Sequence, residues 1–360
     1  MAQPAAVARA EAFAAAHDIE LPILMAPMAG ACPPGLAAAV AKAGGLGACG
    51  ALLMQPDAIK AWARDLRAET NGAFQMNLWI PDPAPHRDAA NEAAVRQFLE
   101  AWGPPVPETA ADATPPDFKA QCEAMLAAGP AIISSIMGVY PADFVAEMKS
   151  RGVKWFATVT TVAEALAAET AGADVVVAQG AEAGGHRGAF EAARAETAAI
   201  GLFSLLPAVV DAVKVPVVAT GGVADARGVA AALTLGASAV QVGTGLLRTP
   251  EAKLAPAWAE AIGRARPEDT MVTRAFSGRA GRSIATKYAM AAAAAEAPDP
   301  APYPVQRALT QAMRDEGGRA GDIDRMQAWA GQSAGLAPAM PAGDYVRGLW
   351  EGAKALLGAA

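Results

Sequence analysis

The chain has 360 residues, of which 53% are hydrophobic, and a net charge of −7. At about 100–200 residues per domain this length suits two domains, or one α/β barrel of about 250 residues with an elaboration. Charges of both signs are scattered with no basic stripe, which argues against a nucleic-acid partner, and no run of about 18 apolar residues suggests a membrane span.

Residues 1–17 carry Arg9 and Glu11 among alanines and read as neither a leader nor an anchor. The three cysteines, Cys32, Cys49 and Cys122, are odd in number and match no metal-ligand spacing. They are expected to be buried free thiols of a cytoplasmic protein without a bound metal.

Short apolar runs recur along the chain at 22–29, 46–50, 73–79, 131–136, 154–159, 174–179, 216–219 and 239–244. They are apolar on both faces, as in a parallel sheet covered by helices. Helical stretches fall between them at 34–43, 56–68, 141–150, 162–170, 204–213 and 226–235. Prolines open three of these, where the first turn needs no N–H partner. Eight strand–helix units favour α/β architecture closed as a (β/α)8 TIM barrel, although periodicity alone also admits an open doubly wound sheet.

Two regions break the rhythm. Residues 81–116 hold eight prolines around a helical piece at 87–102. An insertion after the third strand lies on the catalytic face, either as a lid or as a surface decoration. Residues 250–325, rich in Ala, Arg and Pro, are expected to form a smaller, mainly helical cap or substrate domain. On this reading 1–249 is the barrel, with 80–118 inserted near its mouth, and 326–360 returns a helix to the barrel wall.

The sixth strand runs into Gln179-Gly180-Ala181-Glu182-Ala183-Gly184-Gly185-His186-Arg187-Gly188. Four glycines in nine residues let the backbone approach a ligand closely, at the strand end where barrel chemistry resides. His186 is one of three histidines, and the others, His17 and His86, fall outside the predicted barrel strands. A histidine near its usual pKa of about 6.5 can take a proton at neutral pH, so His186 is the candidate base. The bland reading is a loop histidine bonded to backbone. Gln179 is expected to point inward and to bond a cofactor ring. Glu182 and Arg187 are open between solvated loop residues and an ion pair.

The seventh strand ends in Thr220-Gly221-Gly222 and the eighth in Gln241-Val242-Gly243-Thr244. A phosphate needs backbone N–H groups with no Cβ in the way. The loops after the last two strands are the usual phosphate site of this barrel.

These motifs resemble the nitronate monooxygenase family, formerly called 2-nitropropane dioxygenases. The loop from Gln179 to Gly188 is similar to the family's Gln-Gly-x-Glu-Ala-Gly-Gly-His-x-Gly signature. Pro22-Ile23-Leu24-Met25-Ala26-Pro27-Met28-Ala29-Gly30 resembles its first-strand motif, and Asn77-Leu78-Trp79 its Asn-Leu-aromatic element. Ala41-Lys42-Ala43-Gly44-Gly45-Leu46-Gly47, Ala219 through Asp225, Gln241 through Thr244 and Trp329-Ala330-Gly331-Gln332 are similar to further segments, so the likeness covers most of the chain.

The resemblance implies non-covalent FMN in the barrel mouth. It implies cofactor contacts from Asn77, Gln179, Gly184, Gly185, Gly221, Gly222, Gln241, Gly243 and Thr244, with Ala26, Pro27 and Met28 against the isoalloxazine. His186 would deprotonate a nitroalkane or orient a nitronate. O2 would re-oxidise the flavin, giving a carbonyl compound and nitrite from a small-molecule substrate, in a monomer or homodimer.

The chain departs from the family pattern at Ser134-Ser135-Ile136-Met137-Gly138 and at Gly245-Leu246-Leu247. Ser135 and Tyr303 are the candidates for the substrate wall; Tyr303 reads equally as a capping aromatic on a Pro-rich loop. Two other readings stand beside the first. One is an FMN-dependent NAD(P)H:quinone or enoyl-acyl-carrier-protein reductase, and the other a flavin-free barrel binding a phosphorylated metabolite.

Overall fold

The computed structural model describes residues 3–359. Helix α1 (Ala5–Ala16) leads into β1 (Ile23–Met25), α2 (Pro34–Lys42), β2 (Gly47–Gly50), α3 (Pro56–Glu69) and β3 (Phe74–Trp79). The insertion carries α4 (Ala89–Leu99), followed by α5 (Phe118–Ala128), β4 (Ile132–Ile136), α6 (Ala142–Ser150), β5 (Lys154–Val159), α7 (Val162–Thr170) and β6 (Val175–Gln179). Then come β7 (Gly185–His186), α8 (Leu202–Ala212), β8 (Val217–Thr220), α9 (Ala226–Thr234) and β9 (Ala239–Val242). The remainder holds α10 (Pro256–Arg264), β10 (Thr270–Thr273), β11 (Gly281–Ile284), α11 (Lys287–Ala291), α12 (Val305–Leu309), α13 (Gln311–Ala320) and α14 (Ala342–Leu356).

Eight parallel strands run in the order β1-β9-β8-β6-β5-β4-β3-β2. The ring closes where the Leu46 N–H donates to Ile23 O and the Met25 N–H to Leu46 O. This is a (β/α)8 barrel, and the open sheet is set aside. Its helices start where the sequence supplies a stop for their free N–H groups. Pro34 and Pro56 occupy first turns. Asp117, Thr161 and Asp225 accept backbone N–H groups at the starts of α5, α7 and α9. No helix among the described residues is long and apolar enough to cross a membrane.

Strand alternation divides the barrel interior into two layers. Leu24, Ile132, Phe156, Val175, Val177, Val218 and Ala239 fill the lower half with Phe13, Ala14 and Ile19, so that α1 and the turn after it plug the N-terminal end. Two residues further along the same inward rows stand buried polar side chains: Ser134, Thr158, Gln179, Thr220 and Gln241, beside Gln75 and Asn77 of β3. The apolar plug keeps water out from below, while the polar layer forms a floor facing the mouth. Outward rows pack under the helices, with α14 contributing Val346, Leu349 and Trp350 to that layer.

Over the mouth, the 250–325 region holds helices α10 to α13 and, beyond the expectation, two short strands. β10 and β11 form an antiparallel pair, and β11 also pairs with β7, the His186 segment itself, opposing Gly281 to His186 and Arg282 to Gly185. Strands of two to four residues bearing Arg, Ser and Gly carry no apolar alternation, so they left no period-2 signal. The insertion is no mere surface decoration. Val95 and Leu99 of α4 share one apolar core with Phe276, Tyr288, Val305, Leu309 and Met313. Asp82 holds the nearly buried Arg279 by two N–H···O bonds of 3.0 and 3.1 Å.

Candidate active site

The site is built on the β6–β7 loop, which is braced from inside. Gln179 Oε1 accepts from the Gly188 N–H at 2.8 Å and from the Arg187 guanidinium at 3.1 Å. Its Nε2 donates to His186 O at 3.0 Å. Arg187, 1% exposed, also donates to Gly180 O at 2.7 Å. Glu182 accepts the Leu202 N–H at the start of α8, a favourable place for a carboxylate. Both charged residues are therefore structural here. Gly184 has to be glycine, because a Cβ would lie 2.5 Å from Gly331 N and 2.8 Å from Thr244 Oγ1.

This bracing delivers His186 to the cavity edge. Its ring stands edge-on between Trp79 and Trp329, with centroids 4.6 and 4.7 Å away. Nε2 lies 2.7 Å from Ser277 Oγ. Burial, then the charges of Arg307 and Arg279, pull its pKa down to about 3, so the imidazole is neutral at physiological pH.

The cavity at the C-terminal strand ends measures about 450 Å3, within the roughly 300–1,000 Å3 of small-molecule sites. Ala26, Pro27, Met28, Asn77, Gln179, Gly184, Gly185, Gly221, Gly222, Gln241, Gly243 and Thr244 all line it, together with His186 and Tyr303. Tyr303 packs on Trp79 at 5.2 Å between ring centroids and forms part of the wall. Ser135 is the exception. It sits on the outward row of β4, fully buried, accepting from Trp155 Nε1 and donating to Gly138 O. Its inward neighbour Ser134 accepts from Asn77 Nδ2 at 3.0 Å.

At the barrel end of the cavity, Gly221 and Gly222 take φ of +105° and +71°, conformations that cost a side-chain-bearing residue dearly. The N–H groups of Gly221, Gly222, Gly243 and Thr244 donate to no backbone acceptor among the described residues. Four N–H groups with no backbone acceptor among the described residues, on residues that line one cavity, suit a phosphate. The 329–333 segment folds over them: the Gly331 N–H donates to Thr244 Oγ1 at 3.0 Å and Ser333 Oγ to Gly222 O at 2.5 Å. On the floor, Gln75 Nε2 donates to Gln241 Oε1 at 3.1 Å, which leaves the Gln241 Nε2 group to face the cavity.

Sequence reading missed Ser277, Arg307, Arg314 and the role of Trp79. Arg307 and Arg314 line the cavity from the cap side. The Arg307 guanidinium hydrogen-bonds the Gln327 side-chain oxygen, at 3.5 Å, while Arg314 donates to Arg307 O at 2.8 Å and steadies it. Arginines on short polar helices such as α12 and α13 normally read as solvated faces, so no local signal marked them. The three thiols are buried and unpaired, and burial pushes Cys32 and Cys122 up to about 12, which leaves them inert as nucleophiles. His17 lies at the far end of the barrel, its Nδ1 on Phe13 O at 2.8 Å.

A barrel with glycine loops and a neutral imidazole at one cavity of its C-terminal mouth has the layout of a barrel enzyme. The sequence profile described as nitronate monooxygenase matches residues 10–352. A nitronate monooxygenase of Paraburkholderia phytofirmans is 38% identical over 340 residues, covering 91% of each chain. The chain belongs to the nitronate monooxygenase family and is an oxidoreductase. Among solved structures, a nitroalkane oxidase from Streptomyces ansochromogenes superposes with a TM-score of 0.86 at 35% identity, covering 95% of this chain and 98% of that one. FabK from Thermotoga maritima does so at 0.74 and 30% identity, with 95% of both covered.

Proposed function

We propose that the protein oxidises nitronates, and more slowly neutral nitroalkanes, with O2 to a carbonyl compound and nitrite, using non-covalent FMN. The observation that carries this reading is the polarity of the cavity. One end offers backbone N–H groups that suit the FMN phosphate; the other offers a neutral imidazole and, from the cap side, a guanidinium in no ion pair among the described residues. Bound FMN would supply the electron transfer and the reaction with O2; the protein supplies position and charge. Arg307 draws in the anionic nitronate. Trp79, Tyr303 and Trp329 shield it from water, which strengthens each electrostatic contact. With a neutral nitroalkane, His186 takes the α-proton, and the new imidazolium stands beside the nitronate it has just formed.

Arg307→Met should lower kcat/KM for ethyl nitronate by about 10–100-fold, the equivalent of a charge-assisted contact of about 1.5–3 kcal/mol. The loss for neutral nitroethane should be smaller, since its charge only develops in the transition state. Equal losses would remove Arg307 from the role.

The FabK likeness favours one second reading, a reductase fed by NAD(P)H. Anaerobic mixing decides between them. The purified protein should show flavin bands, keep them when mixed with NADH, and bleach with ethyl nitronate. Rapid bleaching by NADH alone would make the reductase reading the right one. A colourless protein that takes up no added FMN would defeat both.

A further inference from the structure

We propose that Ser277 is a positioning residue that fixes His186 as its Nε2–H tautomer and leaves Nδ1 as the proton-accepting nitrogen on the cavity side. The catalytic part of this role rests on the proposed proton abstraction by His186; the tautomer itself does not.

Ser277 lies in the turn between β10 and β11 and is fully buried. Its Oγ is 2.7 Å from His186 Nε2 and 3.2 Å from Arg279 O. A hydroxyl has one proton, and a carbonyl can only accept. Both contacts are hydrogen bonds only if Ser277 donates to Arg279 O and His186 Nε2–H donates to Ser277 Oγ. The reverse arrangement strips the Arg279 carbonyl of that donor in a dry environment, which is costly. That carbonyl cannot swing away, because the Arg279 side chain is tied to Asp82 and to Ala189 O.

A neutral imidazole protonated at Nε2 carries its lone pair on Nδ1. Nδ1 is not one of the buried side-chain atoms lacking a partner, which are Gln75 Oε1, Arg187 Nε and Arg279 Nε. His186 lines the cavity, and with Nε2 on Ser277 the nitrogen left for it is Nδ1. The backbone is fixed as well, by the Gln179 bond to His186 O and by the β7–β11 pairing. A cap residue 91 positions away thus sets which nitrogen acts as the base.

The test is 15N NMR of the full-length holoenzyme labelled at histidine, with the His186 resonances assigned by their loss in His186→Asn. The wild type should show a protonated Nε2 and a bare Nδ1. Ser277→Ala should give a tautomer mixture and slow proton abstraction from nitroethane at least about tenfold. Oxidation of preformed ethyl nitronate should change less than about threefold, and Ser277→Thr, which keeps the hydroxyl, should restore both readouts. A wild type protonated at Nδ1 overturns the proposal without any variant. Equal loss on both substrates in Ser277→Ala overturns the catalytic part, since it marks a merely structural residue. A correct tautomer in a protein that turns over no nitroalkane would instead tell against the proposed function.

Discussion

His186→Asn should bind FMN as the wild type does and turn over neutral nitroethane about 10²–10⁴-fold more slowly, the usual share of a positioned base. Asparagine has roughly the reach of the imidazole and an N–H for Ser277 Oγ, so the cavity wall should stand, but its amide cannot take a proton. Preformed ethyl nitronate needs no proton removed, so its oxidation should fall far less. The pH dependence follows from the pKa of about 3. A lowered histidine pKa means the neutral form persists down to that value, so kcat/KM for nitroethane should show no loss from His186 protonation between pH 8 and about pH 5. An acid limb near pH 6.5 that vanishes in the variant would contradict the buried, Arg-flanked setting. Unchanged nitroethane turnover in the variant would show that another group is the base.

The second large effect concerns the backbone cradle. Gly222→Val should leave the far-UV circular dichroism intact yet weaken FMN binding by about 10–1,000-fold, read by fluorescence titration. Two causes act together. At φ +71° a β-branched residue is strained by about 1–3 kcal/mol, and the added Cβ would lie 3.1 Å from Glu182 Cβ, pressing on the carboxylate that holds the start of α8. Relief of either moves the Gly221 and Gly222 N–H groups, each contributing about 1.5–3 kcal/mol toward a charged acceptor. Gly222→Ala, with less bulk, should fall between. Unaltered affinity in the valine variant would show that the phosphate sits elsewhere.

The barrel was legible because its signals are local. Buried parallel strands read as short apolar runs, and Pro34, Pro56, Thr161 and Asp225 mark helix starts. The glycine loops after β8 and β9 and the His186 loop stood out for the same reason, and the structure places them on one cavity. Ser135 shows where that reading stops. Ser134 and Ser135 look alike in sequence, and only the inward row set by Ile132 and Ile136 tells which one faces the floor. The cap was harder still. β7, β10 and β11 are too short and polar for periodicity, while Arg307 and Ser277 meet His186 only through contacts spanning about a hundred residues.

One consequence follows from the small sheet that joins β7 to β11. The imidazole is the edge of the roof, not just a fixture of the barrel below it. Remodelling the roof to admit a bulkier nitro compound would tilt the base too, and shape selectivity and proton transfer would drift together. A graft between relatives would have to carry the proline-rich insertion, the hairpin and the tryptophan strap as one block, since Leu99 and Phe276 fill the same apolar core and Trp329 packs against it.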